Sequence, residues 1–356
     1  MITGNLRTSY AADEALLDNR WKRGLMLAVI GGVGAVAAFA NDYIILIACQ
    51  MGFMLIAVIG VNLVIGYTGL MSLGHAAFVA IGAYAVVIFH NAADGLVPDG
   101  LMTLAALGFA VGVSALAGVV VGLPALRVKG LYLAVATLSA NFIVIFLIEQ
   151  DLFAPWTGGM VGINTPVPNL LGWELDTRRE QFVLIAALAL TVLLVTQNLF
   201  RTRVGRAFIA IRDRDYSAEI LGIAIYRTKL TAFAISAAWC GLAGALMAYF
   251  YARILPEQFA LQLSLMLVAA IIVGGMGRML GPVFGVIVIV MVPEAIKVGF
   301  ATMAGGGAEL AALRAPVQEI AFGLLIVLFL LFEPFGLSRI ADRALHALER
   351  WPLSRG

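Results

Sequence analysis

Charge is scarce in this chain of 356 residues: Asp, Glu, Lys and Arg make up 12% of it. Soluble domains carry roughly 25%. With 62% hydrophobic residues besides, the fold does not have water as its main solvent, and the chain reads as an integral membrane protein. Reactive residues are scarcer still. The three histidines, His75, His90 and His346, lie too far apart in sequence to suggest a common metal site. No Gly-Lys-Ser/Thr occurs anywhere, which excludes a Walker-type phosphate loop. The two cysteines, Cys49 and Cys240, fall inside apolar runs, where a thiol acts as a small apolar filler, so no disulfide is expected. A net charge of +2, with no basic run interleaved with aromatics, excludes nucleic acid as a partner. No serine–histidine or zinc-type spacing supports an enzyme embedded in the membrane.

Long apolar runs are what the sequence does have. A crossing needs about 20 residues to span about 30 Å of hydrocarbon. Such runs occur at 25–40, 43–65, 72–89, 101–123, 131–148, 182–199, 230–250, 263–275, 279–298 and 317–332, ten in all, with the first and eighth short. A charge at the centre of a span costs about 2.5–3.5 kcal/mol, so Lys and Arg must sort to the loops. With the N-terminus inside, the inner segments hold 18 of the 23 basic residues, while the acidic residues divide nine inside and twelve outside. Only Lys and Arg report orientation, so this asymmetry predicts an all-α polytopic bundle of about ten spans with both termini cytoplasmic. Some of its helices are expected to be short or broken. Residues 1–24 read as a cytoplasmic tail or interfacial helix, without the short core and cleavage site of a signal peptide. Residues 25–337 form one membrane domain and 338–356 a second cytoplasmic tail.

Two loops are long. The outer one, 149–181, carries APWTGGMVGINTPVPNLLGW, whose Pro, Gly and Asn forbid a continuous helix and suggest an ordered external cap. The inner one, 200–229, contains seven basic residues. Within it Asp213 or Asp215 can cap a short helix that Gly222 ends in a left-handed turn. Tyr216 and Ile220, four apart, share a face with Leu221 alongside. Such a helix is marginal alone and needs something to pack on. Either the apolar face rests on lipid headgroups, or it is a knob inserted into a cytoplasmic protein that moves.

Two further stretches interrupt the apolar pattern. In GYTGLMSLGHAAFVAIGAYAVVIF, residues 66–89, Ser72, Ala76 and Ala80 share a helical face with Ala83 nearby, as close helix packing in lipid requires. Gly66, Gly69, Ser72 and His75 sit where one span hands over to the next. That is either a backbone break inside the bundle, tolerated only where protein or a water-filled cavity satisfies the polar groups, or a tight inner turn with a histidine at the interface. In VGGMGRMLGP, residues 273–282, the glycine spacing does not fit a dinucleotide loop, and a helix break or tight inner turn carrying Arg278 fits better.

Taken together, GYTGLMSLGHAAFVAIGAY, GRAFIAIRDRDYSAEILGI followed by RTKLTAFAISAAWCGLAGALMAY, and VGGMGRMLGPVFG resemble the permease subunits of branched-chain amino-acid ABC importers, the LivM type. The outer TGGMVGI is similar as well, and the resemblance covers roughly residues 50–337. It implies a translocation subunit of the bacterial inner membrane with no catalytic residue, metal or cofactor of its own. It also implies a second homologous permease (LivH-like), two ATP-binding subunits (LivG/LivF-like) that hold the ATP and Mg, and an external substrate-binding protein. The family's coupling segment maps onto Gly205, Arg206, Ala207, Arg212, Asp213, Asp215, Glu219 and Gly222, around the knob of Tyr216 and Ile220. Urea permeases of the same family commonly carry Gln where this chain has His75, which favours the amino-acid branch.

Candidates for the solute path are Asn62, Gly66, Gly69, Ser72 and His75, with Thr137 and Asn141 competing. Each polar side chain among them could equally bond a neighbouring helix. An ion-coupled carrier would need an ionisable group deep in a span, yet Glu149, Glu294 and Glu319 lie near predicted ends. Urea, amides or aromatic acids are the alternative solutes within the family.

Overall fold

The computed structural model describes residues 31–93, 97–128, 130–170, 172–303 and, with gaps, 316–339. Its main helices are α1 (Asp42–Val61), α2 (His75–Ala93), α3 (Asp99–Ala125), α4 (Leu131–Glu149), α5 (Arg178–Arg201), α6 (Arg203–Asp213), the short α7 (Asp215–Ile220), α8 (Ile225–Tyr251), α9 (Leu261–Gly274) and α10 (Gly281–Met303). Among the described residues, eight helical segments are long and apolar enough to cross a membrane. They coincide with the second to ninth apolar runs. The eighth run, short in sequence, gains length from the 3-10 turn Pro256–Phe259 ahead of α9. Of the first run, 31–39 is helical, Ala40 follows outside the helix, and 25–30 lies outside the described residues; 317–332 is described only in part, and what is described of it is helical.

The bundle is built around α2 and α8, which are more deeply buried than the other crossings. They can pack closely because each presents glycine to the other's backbone. A Cβ on Gly82 would run into the backbone of Gly241, and one on Gly244 into the carbonyl of Val79. On α3, Gly118 faces Ala237, while Gly241 faces Ser114. Apolar side chains gain nothing by leaving lipid for protein, so close backbone approach and hydrogen bonds hold such crossings. The small face expected on α2 is fully buried at Ala76, Ala80 and Ala83. Helices α3, α4, α5 and α10 pack around this centre and leave large apolar side chains such as Leu116, Phe142, Phe146 and Val183 exposed, as a lipid-facing shell requires.

At one end of the bundle residues 150–170 and 172–177 form an ordered cap. It has one helical turn, Ala154–Thr157, and a 3-10 turn, Gly159–Val161. Two antiparallel bridges follow, Ile163–Asn164 with Arg253–Ile254 and Asn169–Leu170 with Trp173–Glu174. Ala252 ends α8 with φ of 56°, and its carbonyl accepts from Thr165 N at 2.9 Å. Thr177 and Glu180 then cap α5 reciprocally, starting the return crossing. The other end carries Arg127, Arg201, Arg203, Arg206, Arg212, Arg214, Arg227, Lys229 and Arg278, against Arg178, Arg179, Arg253 and Lys297 at the capped end. Gly336 packs on Gly275 at this basic end as well.

Candidate functional site

Two interrupted helices meet at the basic end. After Val61 the α1 ladder widens into a π-type turn over Asn62–Tyr67, the helix ends at Thr68, and the chain is non-helical over 69–74 until His75. Gly69 takes φ of 69°, a conformation open to glycine and costly to most residues. The backbone freed by this break is satisfied by side chains from three directions, as burial demands. Thr68 Oγ1 donates to Val64 O at 2.6 Å, Leu73 N donates to Thr137 Oγ1 of α4 at 3.0 Å, and Ala76 N donates to Ser264 Oγ of α9 at 3.0 Å.

His75 is fully inside the bundle. Its Nδ1 lies 3.1 Å from Ser72 Oγ and its Nε2 3.0 Å from Ser236 Oγ of α8, and its ring packs against Phe78 and Phe233. A neutral imidazole has one donor and one acceptor nitrogen, and a hydroxyl can complement either. The interfacial-turn alternative for residues 66–75 is therefore excluded, because the histidine bridges a broken helix to the central one.

The second break separates α9 from α10 at 275–280, where Gly275 and Gly277 take φ of 114° and 69°. Asn62 clamps it. Its Nδ2 donates to Arg278 O and its Oδ1 accepts from Gly277 N, both at 3.0 Å. Two interruptions more than 200 residues apart in sequence are thus stapled by one buried amide.

The basic segment lies over this pair. Thr202 caps α6 by accepting from Gly205 N at 3.4 Å, and Arg206 Nη1 donates to Arg201 O at 2.6 Å. Gly205 is buried where a Cβ would strike the backbone of Leu199 and Phe200, and Ala207 is half-buried. Phe208 packs with Leu63 and Ala232, and Phe200 stacks on Tyr67 with ring centroids 3.7 Å apart. Neither predicted aspartate caps α7 through its side chain. The cap position is Arg214, in extended backbone; Asp213 is the last residue of α6, and Asp215 is the first of α7. The Asp215 carboxylate is drawn instead to Lys229 Nζ at 2.7 Å, tying α7 to the first turns of α8. Gly222, at φ of 84°, does end α7, with Ile223 N donating to Ala218 O at 3.0 Å and Gly222 N to Glu219 O at 2.9 Å. Tyr216, Ile220 and Leu221 are 76%, 71% and 79% exposed, an apolar face with nothing packed on it among the described residues, and Glu219 is exposed beside it. Between α7 and the first break lies an open cleft of about 790 Å³ lined by Thr68, Gly69, Arg212, Asp215, Tyr226 and Lys229 among others.

A family model described as the permease component of branched-chain amino acid transport systems matches residues 43–332. The chain belongs to this permease family. It is 34% identical over 275 residues to the high-affinity branched-chain amino acid transport system permease protein LivM of Salmonella typhimurium, an alignment covering 70% of this chain and 63% of that protein. The LivM protein of Escherichia coli is 34% identical over 263 residues, covering 67% of this chain and 60% of that one. The chain therefore spans less than two thirds of the length of these relatives. No solved structure matches it. Family membership and the eight apolar crossings make it a multi-pass membrane protein of permease type.

Of the path candidates in this permease, Asn62, Ser72, His75 and Thr137 all have structural partners, and Thr137 Oγ1 also donates to Ala134 O at 2.9 Å. Asn141, one turn beyond Thr137, differs: it is fully buried, and among the described residues neither amide atom has a partner. Gly66 lies at the closest approach of the two breaks, and Gly69 is at the exposed rim. Sequence reasoning missed Ser236 and Ser264, and it placed Gly205, Arg206, Ala207, Arg212 and Asp213 in the coupling segment without reading the helix α6 that carries them. The two serines gave no local signal, whereas α6 could have been found from the Thr202 cap followed by Phe208 and Ile211 on one face.

Proposed function

We propose that this chain is the translocation subunit of an ATP-driven importer that moves branched-chain or other small amino acids into the cytoplasm. The observation that carries the reading is the exposed Tyr216–Ile220–Leu221 face, set on a short helix at the basic end and braced from behind by Asp215–Lys229. By the positive-inside rule that end is cytoplasmic, which puts the 150–177 cap outside. The apolar face, ringed by charge, suits a compact hot spot on a partner. The partners are two ATP-binding subunits, which hold ATP and Mg, a second homologous permease beside the bundle, and an external substrate-binding protein over the cap. This chain itself supplies no catalytic residue. The solute class follows from the names of its relatives.

ATP binding closes the partner subunits and moves α7, and the bundle exchanges outward for inward access near the break at 66–75. Coupling of this kind requires that the partner stabilise the two states differently. Reconstitution tests it: uptake of leucine into liposomes is expected only when the ATP-binding subunits and ATP are present. Uptake by this chain alone, driven by a proton or sodium gradient, would replace the reading with an ion-coupled carrier.

A further inference from the structure

We propose that the two helix breaks form a single joint, and that Arg212 is the positioning residue through which the docking segment moves it. The inference rests on the reading above that α7 meets a moving partner. Its grounds are geometric. Asn62 holds the turn at 277–278 by two hydrogen bonds of 3.0 Å, and the backbones of Gly66 and Gly277 approach so closely that a Cβ on Gly277 would lie 2.6 Å from Gly66 O. Neither break can shift without carrying the other. Interrupted backbone deforms at lower cost than a continuous helix, so a bundle would be expected to flex here.

Arg212, in the last turn of α6, spans both parts. Its guanidinium lies against Gly277, and its Cγ would be 3.5 Å from a Cβ on Gly69. Both glycines have positive φ, so both parts of the joint lie open to the arginine at its least substituted points. The rest of α6 grips the same place, with Phe208 on Leu63 inside the widened turn and Phe200 stacked on Tyr67. A displacement of α7 is therefore delivered by α6 to both breaks at once, close to the cleft that opens at the basic end.

The test uses the full complex in proteoliposomes, with leucine supplied by its external receptor, and reads leucine imported per ATP hydrolysed. Arg212→Ala, at an exposed side chain that does not threaten folding, is expected to keep the ATP-binding subunits attached and hydrolysing. Import per ATP should fall about tenfold, equivalent to about 1.4 kcal/mol of coupling. Asn62→Ala should act in the same direction, and the double variant should be no worse than the worse single, because both cut one linkage. Arg203→Ala, which removes an exposed charge at the far end of α6, should couple normally. A wild-type ratio in Arg212→Ala, or losses that multiply in the double variant, would overturn the joint while leaving the docking reading intact. Loss of ATP-driven uptake in the unaltered complex would instead remove the docking reading itself.

Discussion

Replacing Gly82 with alanine should destabilise the bundle far more than the same change at Gly108. A Cβ on Gly82 would meet the backbone of Gly241 on the facing helix. Backbone cannot rotate away as a side chain can, so α2 and α8 would have to part. Overpacking of this kind costs about 1–3 kcal/mol. Parting also strains the His75–Ser236 bond, which lies two turns away along the same crossing at 3.0 Å. Leaving a buried polar group unpaired adds about 1–3 kcal/mol. The gain in helix propensity from glycine to alanine returns about 1 kcal/mol. The net loss is about 1–5 kcal/mol. Around Gly108 nothing lies within 4 Å of the added atom, so the propensity gain stands alone. Thermal unfolding in detergent, read by loss of the monodisperse chromatographic peak, should rank Gly108→Ala at or above the parent and Gly82→Ala well below it. Equal stability of the two variants would refute the claim that glycine contacts set the α2–α8 crossing.

Asn141→Leu should preserve or raise stability, because both amide atoms are buried without partners among the described residues; if the residue lines the solute route, uptake falls with no loss of stability. Thr177→Ala removes the reciprocal cap of α5 and should cost about 1 kcal/mol, measurable in the same unfolding assay. Asp215→Lys and Lys229→Asp should each weaken association with the ATP-binding subunits on an affinity column, and the paired exchange should restore it, since the 2.7 Å contact holds α7 in place.

Much of the fold was legible because lipid imposes simple rules. Length and hydropathy placed eight crossings where the structure has them, and glycines 66 and 69 marked a true interruption. Gly222 and the exposed trio of Tyr216, Ile220 and Leu221 followed from local helix chemistry. What stayed hidden depends on pairing across the chain. Asn62, a path candidate that could equally bond a neighbouring helix, clamps a turn more than 200 positions later, a partner no local pattern names. Asp215 looked like a cap and is held by Lys229, which no local pattern distinguishes from other loop lysines. Ser236 and Ser264 are ordinary serines in apolar runs until α8 and α9 bring them to His75 and to Ala76 N. Partner choice of this kind is set by packing, on which composition and periodicity are silent.

The apolar face of α7 is proposed as the contact with an ATP-hydrolysing partner in the cytoplasm. Its most direct measurement is site-specific crosslinking from Ile220→Cys, made against a quiet background because the native Cys49 and Cys240 are both buried and unbridged. A crosslink is expected from position 220 to the ATP-binding subunit, lost or shifted on ATP addition, with no labelling by a membrane-impermeant thiol reagent applied outside intact cells. Labelling from outside, or crosslinks only to lipid-exposed neighbours, would contradict it.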